Sequence, residues 1–292
     1  MIVVRLKGGL GNQLFQYAFG YILAKKNNNK LMLDIDWFDT EGNVPWLKKR
    51  AYELDKFDIP AAHIIKHKKL PIIPRFFGSR IIRRASAAML KQDKIKVGSW
   101  LMVSNTVNND YLKLPKSKNL FLNGYFDNHA AVYLKGYEQD ICRQFKIKET
   151  SQSTKELIKQ IQSYNNTTSI HVRRTDQMHE TGHKAGLEYY KKAIQYMTEK
   201  DPDMRFFVFS DDIEWCKNQF GSYSNCIFAT DPDDDDSLRD FAGMMTCKNN
   251  IIAYSTYSWW AAMLNRNETK IVITPEFYDS VEFLPESWVV IK

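Results

Sequence analysis

From Thr150 onward the chain alternates short apolar runs with helical repeats, and that rhythm restricts the possible folds more than any other feature. It predicts helices over Ser153–Ser163, Glu188–Thr198, Ile213–Gln219, Ser237–Cys247 and Ser258–Asn265. Between them it predicts strands over Ile170–Val172, Phe206–Phe209, Ile227–Ala229, Ile251–Ala253 and Ile271–Ile273. Strands separated by helices are joined by crossovers rather than hairpins, so neighbours run parallel in a doubly wound α/β sheet. The N-terminus opens the same way, with a strand over Ile2–Leu6, a helix over Asn12–Lys26 and a strand over Leu31–Ile35. Residues 37–140 carry a weaker pattern, in which Tyr52–Leu54, Ile81–Leu90 and Phe121–Phe126 suggest short strands and at least one helix. The polar stretch from Lys148 to Ser153 separates the two rhythmic regions and predicts domains of 1–150 and 151–292.

A chain of 292 residues can bury two cores of this kind. No apolar run approaches the roughly 18 residues that a membrane span needs, and the best, Tyr257–Leu264, is far shorter. The N-terminus begins directly on a strand pattern, without a signal-peptide layout, which leads to the expectation of a cytoplasmic protein. Cys142, Cys216, Cys226 and Cys247 are scattered without a C-x-x-C pair and read as buried thiols, not a disulfide framework or zinc site.

Charge is divided unevenly. Residues 1–150 hold 26 Lys and Arg against 13 Asp and Glu, whereas the remainder holds 15 against 21. Ten basic residues and a single acid, Asp93, lie between Lys66 and Lys96, mixed with Phe76, Phe77, Ile81, Ile82 and Leu90. Such a segment can lie on an anionic membrane surface or form a solvated helix with an apolar side, and the second reading is preferred. Nucleic-acid binding is not expected, because the second half is acidic and no binding motif is present.

Strand-to-helix junctions carry the chemistry. His171-Val172-Arg173-Arg174-Thr175-Asp176 ends a strand where open α/β sheets bind ligands, and the guanidinium fork matches phosphate oxygens bidentately. Gly8-Gly9-Leu10-Gly11-Asn12 lies between a strand and a helix, where glycine admits close backbone approach. It fails the dinucleotide fingerprint because Leu14 holds the third glycine position, which argues against a nicotinamide oxidoreductase. Asp211 and Asp212 follow a strand, where either can cap a helix or accept from a ligand. Ser255-Thr256-Tyr257-Ser258 offers hydroxyls and helix N–H groups, which can seat a phosphate or simply cap the helix. Asp34/Asp36, Asp201/Asp203 and Asp231/Asp233 have D-x-D spacing but sit in strand-end or proline-turn contexts, so metal binding is not expected. Trp259 and Trp260 are expected in the core.

The N-terminal glycine segment, His171–Asp176, Phe207–Cys216 and Ile251–Trp260 together resemble the bacterial α-1,2-fucosyltransferase family in order, spacing and wording. The resemblance runs from residue 1 to about 275 and thins between roughly 60 and 120. It implies a GT-B architecture, α/β, with two Rossmann-type domains facing a central cleft. The N-terminal one would be on the acceptor side and the C-terminal one would bind GDP-fucose. The implied reaction is inverting transfer of L-fucose from GDP-β-L-fucose to the 2-hydroxyl of a galactose-terminated glycan, with no metal and no cofactor beyond the donor substrate. Bacterial relatives often extend lipid-linked glycans, so the resemblance allows peripheral contact with the inner membrane; animal relatives carry an N-terminal anchor that is not seen here.

By the same resemblance, Arg173 stabilises the departing β-phosphate while Arg174 is structural, bonded to backbone or acid. His171 either touches phosphate or holds the loop. Gly11 and Asn12 lie over the donor's phosphates and sugar, Asp211 accepts from guanine or ribose, and Ser255, Thr256 and Ser258 help seat the phosphates. Relatives usually read Asn-Ser-Ser-Phe-Ser-Trp-Trp-Gly in the last segment, where this chain has Tyr254, Thr256, Tyr257 and Ala261. For the base that removes the acceptor proton, the nearest carboxylates are Asp176 and Glu180, with His179 beside them; Asp176 can equally bond Arg174.

Overall fold

In a computed structural model, the described residues are 1–40, 50–59, 63–65, 94–104, 114, 119–127, 130–174, 185–234, 236–276 and 283–292. The chain divides into two compact units, Met1–Ile147 and Lys148–Lys292. Each is built around one six-stranded sheet.

The first unit begins with β1 (Ile2–Arg5), helix α1 (Leu10–Lys26), β2 (Leu31–Asp34) and the short helix α2 (Asp36–Thr40). β3 (His63–Ile65), β4 (Lys94–Val97), β5 (Trp100–Ser104), β6 (Asn119–Asn123), α3 (Ala130–Leu134) and α4 (Glu138–Gln144) follow. The sheet order is β3-β2-β1-β6-β5-β4, parallel except for the antiparallel β4–β5 edge. Ile2, Val3 and Val4 are fully buried on β1, as a central parallel strand covered on both faces must be. α1 is buried on almost every side, Gln13 and Gln16 included, so it is a core helix rather than an amphipathic surface one. Tyr52–Leu54 is not a strand: a single 3-10 turn, Leu54–Lys56, stands there, and its buried Leu54 supplies the apolar signal.

The second unit runs α5 (Gln152–Gln162), β7 (Thr167–Val172), α6 (Leu187–Lys200), β8 (Arg205–Ser210) and α7 (Ile213–Phe220). It continues through β9 (Cys226–Phe228), α8 (Arg239–Thr246), β10 (Asn249–Ile251), α9 (Thr256–Leu264), β11 (Val272–Pro275) and β12 (Val289–Ile291). All neighbours in the order β12-β11-β10-β7-β8-β9 pair in parallel. The expected helices and strands are present, with one displacement: β10 starts at Asn249, before the apolar run. Asn249 and Asn250 are tolerated inside the sheet because their amides are satisfied. The Asn250 amide nitrogen donates to Ser169 Oγ and to the Met244 carbonyl, each at 2.8 Å, and its oxygen accepts from Asn265 at 2.8 Å. Ile170, Phe206, Val208, Ile251 and Ile273 form the fully buried centre, and Trp259 and Trp260 pack edge to face at 5.1 Å, also fully buried.

Cys216 and Cys247 are buried, with burial raising the Cys216 thiol to about 11 and the Cys247 thiol higher still, so neither is a thiolate near neutrality. Cys142 and Cys226 depart from the expectation, being only half-buried. No helix among the described residues is long and apolar enough to cross a membrane. Most of Lys66–Lys96 lies outside the described residues, as does Ile81–Leu90.

Candidate active site

The strand order makes a crevice at one place in the second unit. From β7 the chain steps to β8 and β9 on one side, then returns to β10 on the other, so β7 and β10 flank the topological switch point. Ligands of open α/β sheets bind outside the carboxyl ends of such a pair. Ile170 pairs with Ile251, so Arg173 and Tyr254 each stand three residues beyond the pair, and His171 at the end of β7 meets Tyr257, in the first turn of α9, at 5.9 Å.

The two arginines have different surroundings. Arg174 is held on three sides: its backbone N–H donates to Asp211 Oδ1 at 2.9 Å, its Nε donates to Asp212 Oδ2 at 3.0 Å, and its guanidinium lies 4.1 Å from the Trp215 ring centroid. It ties the end of β7 to the start of α7. Arg173 Nε lies 3.3 Å from Asp211 Oδ2 in a pair that keeps about a quarter of the arginine side chain exposed. Of the two aspartates, Asp212 is the helix cap, accepting from the Trp215 N–H at 3.2 Å. Asp211 instead accepts from both arginines. Sequence reasoning left cap and ligand contact open for Asp211; the structure assigns the cap to its neighbour.

A second layer holds this pair of strand ends. The Asp212 N–H donates to Ser210 Oγ at 2.9 Å, and the Ser210 N–H to Thr230 Oγ1 at 3.0 Å. Thr230 in turn donates to Asp240, whose carboxyl burial pushes above its ordinary range. Arg239 pairs with Asp240 at 3.4 Å and with Asp234 at 3.3 Å. From α6, the Tyr190 hydroxyl donates to the His171 carbonyl at 3.1 Å and the Tyr189 hydroxyl to the Ile252 carbonyl at 2.7 Å. None of Trp215, Thr230, Asp240, Tyr189 or Tyr190 was picked out by the sequence. Trp215 carried a usable signal, standing three residues after a candidate cap, where the capped N–H must lie.

His171 is 4% exposed and packs against the Tyr257 ring at 5.9 Å. Ser255 is the N-cap residue of α9 and makes no side-chain cap bond, and no acid lies in the first turn. Ser255 and Thr256 are half-buried. Ser258 is fully buried: it accepts from the Ala253 N–H at 3.3 Å and donates to the Ser255 carbonyl at 3.4 Å, so its hydroxyl shapes the turn. Asp176, His179 and Glu180 lie outside the described residues.

In the first unit, Gly11 is buried in the first turn of α1, and Asn12 is half-buried with its side chain folded over Gly8. Gly8 has φ +79°, a conformation that favours glycine. Gln13 Nε2 donates to the Gly8 carbonyl at 3.1 Å and the Lys7 N–H donates to Gln16 Oε1 at 2.9 Å, so the turn is clamped from beneath. The aspartate pairs have local uses. Asp34 is fully buried beside Arg5 at 4.0 Å, while Asp201 and Asp231 accept from the N–H of Asp203 at 2.8 Å and of Asp233 at 3.1 Å.

A partly exposed arginine at a switch point whose other strand leads into a helix with no cap bond from Ser255 and no acid in its first turn is an arrangement that can hold anionic oxygens. The sequence profile of glycosyl transferase family 11 matches residues 1–290. The chain belongs to that family. It is 33% identical to an O-antigen biosynthesis glycosyltransferase, WbnK, of Escherichia coli, over 92% of each chain. It is 32% identical to an alpha-1,2-colitosyltransferase of the same organism, over 100% of this chain and 99% of that one. Among solved structures it is similar to NodZ, an alpha-1,6-fucosyltransferase soaked with GDP-fucose, with TM-score 0.55, 12% identity, and coverage of 90% of this chain and 91% of that one. Its fold class is GT-B, each unit α/β with a largely or wholly parallel sheet, and it is a glycosyltransferase of the α-1,2-fucosyltransferase-like kind.

Proposed function

We propose that the chain transfers L-fucose from GDP-β-L-fucose to the 2-hydroxyl of a galactose-terminated glycan, with inversion and without a metal ion. The observation that carries this reading is Arg173 at the end of β7, beside the strand that leads into α9. As the bond between the sugar's C1 and the β-phosphate oxygen breaks, negative charge collects on that phosphate. Arg173 and the first N–H groups of α9 stabilise the charge as it develops, which lowers the barrier more than binding the ground state does. Asp211 orients the Arg173 fork, and Arg174 fixes the loop. The acceptor oxygen attacks C1 on the face opposite the leaving phosphate, so a β-linked donor yields an α-linked product. Its proton passes to a carboxylate in the segment after Arg174, Asp176 or Glu180. The relative named for O-antigen biosynthesis supports a bacterial surface glycan as the acceptor source.

A second donor is favoured by one observation: the relative matching the whole chain is named as a colitosyltransferase. Colitose is the 3-deoxy form of L-fucose, so the two donors differ by a single hydroxyl. Purified protein given each GDP-sugar with lactose and N-acetyllactosamine, with and without EDTA, separates the readings. Fucosyl transfer that persists in EDTA, with an α-1,2 linkage by NMR, is the expected result. A clear preference for GDP-colitose would replace the donor, and activity lost to EDTA and restored by manganese would sink the metal-free reading. The residue that serves as base should, as Asp176→Asn or Glu180→Gln, lose about 10²–10⁴-fold in kcat at unchanged GDP affinity. If both variants stay within about tenfold, the base is elsewhere.

A further inference from the structure

The first unit has its own switch point. The chain steps from β1 to β2 and β3 on one side, and β6 returns on the other side of β1. Val4 pairs with Leu122, so Lys7 and Tyr125 emerge level beyond the carboxyl ends of these strands. Lys7 Nζ lies 4.7 Å from the Tyr125 ring centroid. The next residue, Phe126, has φ +59°, which a bulky side chain rarely adopts. It is kept there by burial and by stacking on Phe19 at 4.6 Å. A strained residue held by core packing marks a place where position matters more than local preference. Here the strain sets the direction in which the chain leaves β6, and so fixes the half-buried Tyr125.

We propose that Tyr125, steadied by Lys7, binds the acceptor sugar. A hexopyranose presents an apolar C–H face and a rim of hydroxyls. A tyrosine ring with a polar tip and an adjacent ammonium offers a complement to both. An ammonium engaged on a ring face is a poorer partner for a diphosphate than the guanidinium of Arg173, which directs the donor's charge to the second unit and leaves a neutral sugar for this patch. The assignment rests on the glycosyltransferase reading given above, and it names the acceptor contact within it.

Steady-state kinetics on Tyr125→Ala and Tyr125→Phe test it, with folding checked by circular dichroism. Tyr125→Ala should raise the acceptor KM by about tenfold or more, while donor KM and donor hydrolysis without acceptor stay within about twofold. Tyr125→Phe should keep most of the acceptor affinity, because the ring is retained. An unchanged acceptor KM in Tyr125→Ala, or donor hydrolysis that falls in step, overturns the assignment. Saturation-transfer NMR with methyl β-D-galactoside on the GDP-loaded protein gives a readout without turnover. Signal in the wild type that is lost in Tyr125→Ala supports the patch, and no signal in the wild type overturns it. A wild type that binds galactoside through Tyr125 but does not use GDP-fucose would instead refute the donor assignment alone.

Discussion

The two switch points are built on one plan and armed differently. In each, a cation stands three residues beyond a paired position on the central strand, and a tyrosine stands three residues beyond the partner position, past the end of the neighbouring strand: Lys7 with Tyr125, and Arg173 with Tyr254. In the first unit the cation rests on the tyrosine ring, and neutral amides, Gln13 and Gln16, clamp the turn. The buried pair of that unit, Arg5 with Asp34, lies inside the sheet, where its charge is not offered to a ligand. In the second unit the arginine turns to Asp211, and the strand ends are bound by Arg174–Asp212 and by the Asp234–Arg239–Asp240 group. On the proposed reading, full charges stand where a phosphate's charge would be met. Amides and glycine stand where the backbone itself must be approached. The difference is chemical as well as topological: in chain order, the strand beside the central one is the last of the first sheet, which has an antiparallel edge, but the fourth of the all-parallel second sheet.

The strongest way to break this comparison is to give the second unit the cation of the first. Arg173→Lys keeps the charge but loses the planar fork, and we expect kcat to fall by about 10²-fold or more with a weaker hold on GDP. Lys7→Arg, the reciprocal exchange, should leave donor kinetics within about threefold, because a guanidinium also rests on an aromatic face. Kinetics on the two variants decide it. If Arg173→Lys retains kcat within a few-fold, the fork is not what the site uses, and the contrast between the units loses its catalytic meaning.

Much of the second unit was legible because its signals are local. β8 holds a continuous apolar run, Phe206–Phe209, β7 shows its apolar end at Ile170 and Val172, and α5 buries Thr154, Leu157 and Ile161 at helical spacing. The Arg pair was legible for the same reason, as adjacent residues at a strand end. What escaped is what only three dimensions satisfy. Asn249 and Asn250 read as loop until Ser169, Met244 and Asn265 are brought to them. Gln13 and Gln16 carry no signal of their own role until the turn at Lys7 and Gly8 is folded over them. Tyr125 and Lys7 are over a hundred residues apart in the chain and meet only through the β1–β6 register. Trp215 was visible as an aromatic, but its use depends on Arg174 arriving from another strand.

A smaller effect sharpens what the units share. Each lays a helix on its sheet through a glycine: Gly20 of α1 and Gly243 of α8. A methyl group on Gly20 would run into Val4 Cγ2, a branched side chain on a central buried strand. On Gly243 it would meet the Phe209 ring edge at 2.8 Å and the tip of Leu157 at 2.9 Å. Overpacking of this kind costs about 1–3 kcal/mol. Gly20→Ala should lie at the upper end and Gly243→Ala below it, since the Leu157 tip can yield. Urea midpoints of the two variants measure this, and an equal or reversed order would show that the second unit's helix is the more rigidly seated.

The smallest effect separates the charged strand end from the neutral one. Burial raises the Asp240 carboxyl above its ordinary value of 3.8, although Thr230 and Arg239 oppose the shift. A raised folded-state value means that the native protein holds this proton more tightly than the unfolded chain does. The stability contributed by that proton is complete below 3.8 and is lost as pH rises through the elevated value. Asp240→Asn carries no titrating proton and can still accept from Thr230, so its own contribution does not change with pH. We therefore expect the Tm of Asp240→Asn, relative to wild type, to climb as pH is raised from about 3.8 towards neutrality. Parallel Tm curves would sink the idea, because the carboxylates common to both proteins cancel in the difference. Gln13→Glu puts a carboxyl into the first unit's clamp, where Gln13 Nε2 now donates to the Gly8 and Ala51 carbonyls. Once ionised, the new carboxylate would face those oxygens without a proton to donate. The Tm of this variant relative to wild type should therefore fall as pH rises, giving the neutral strand end a pH dependence that its amides do not have.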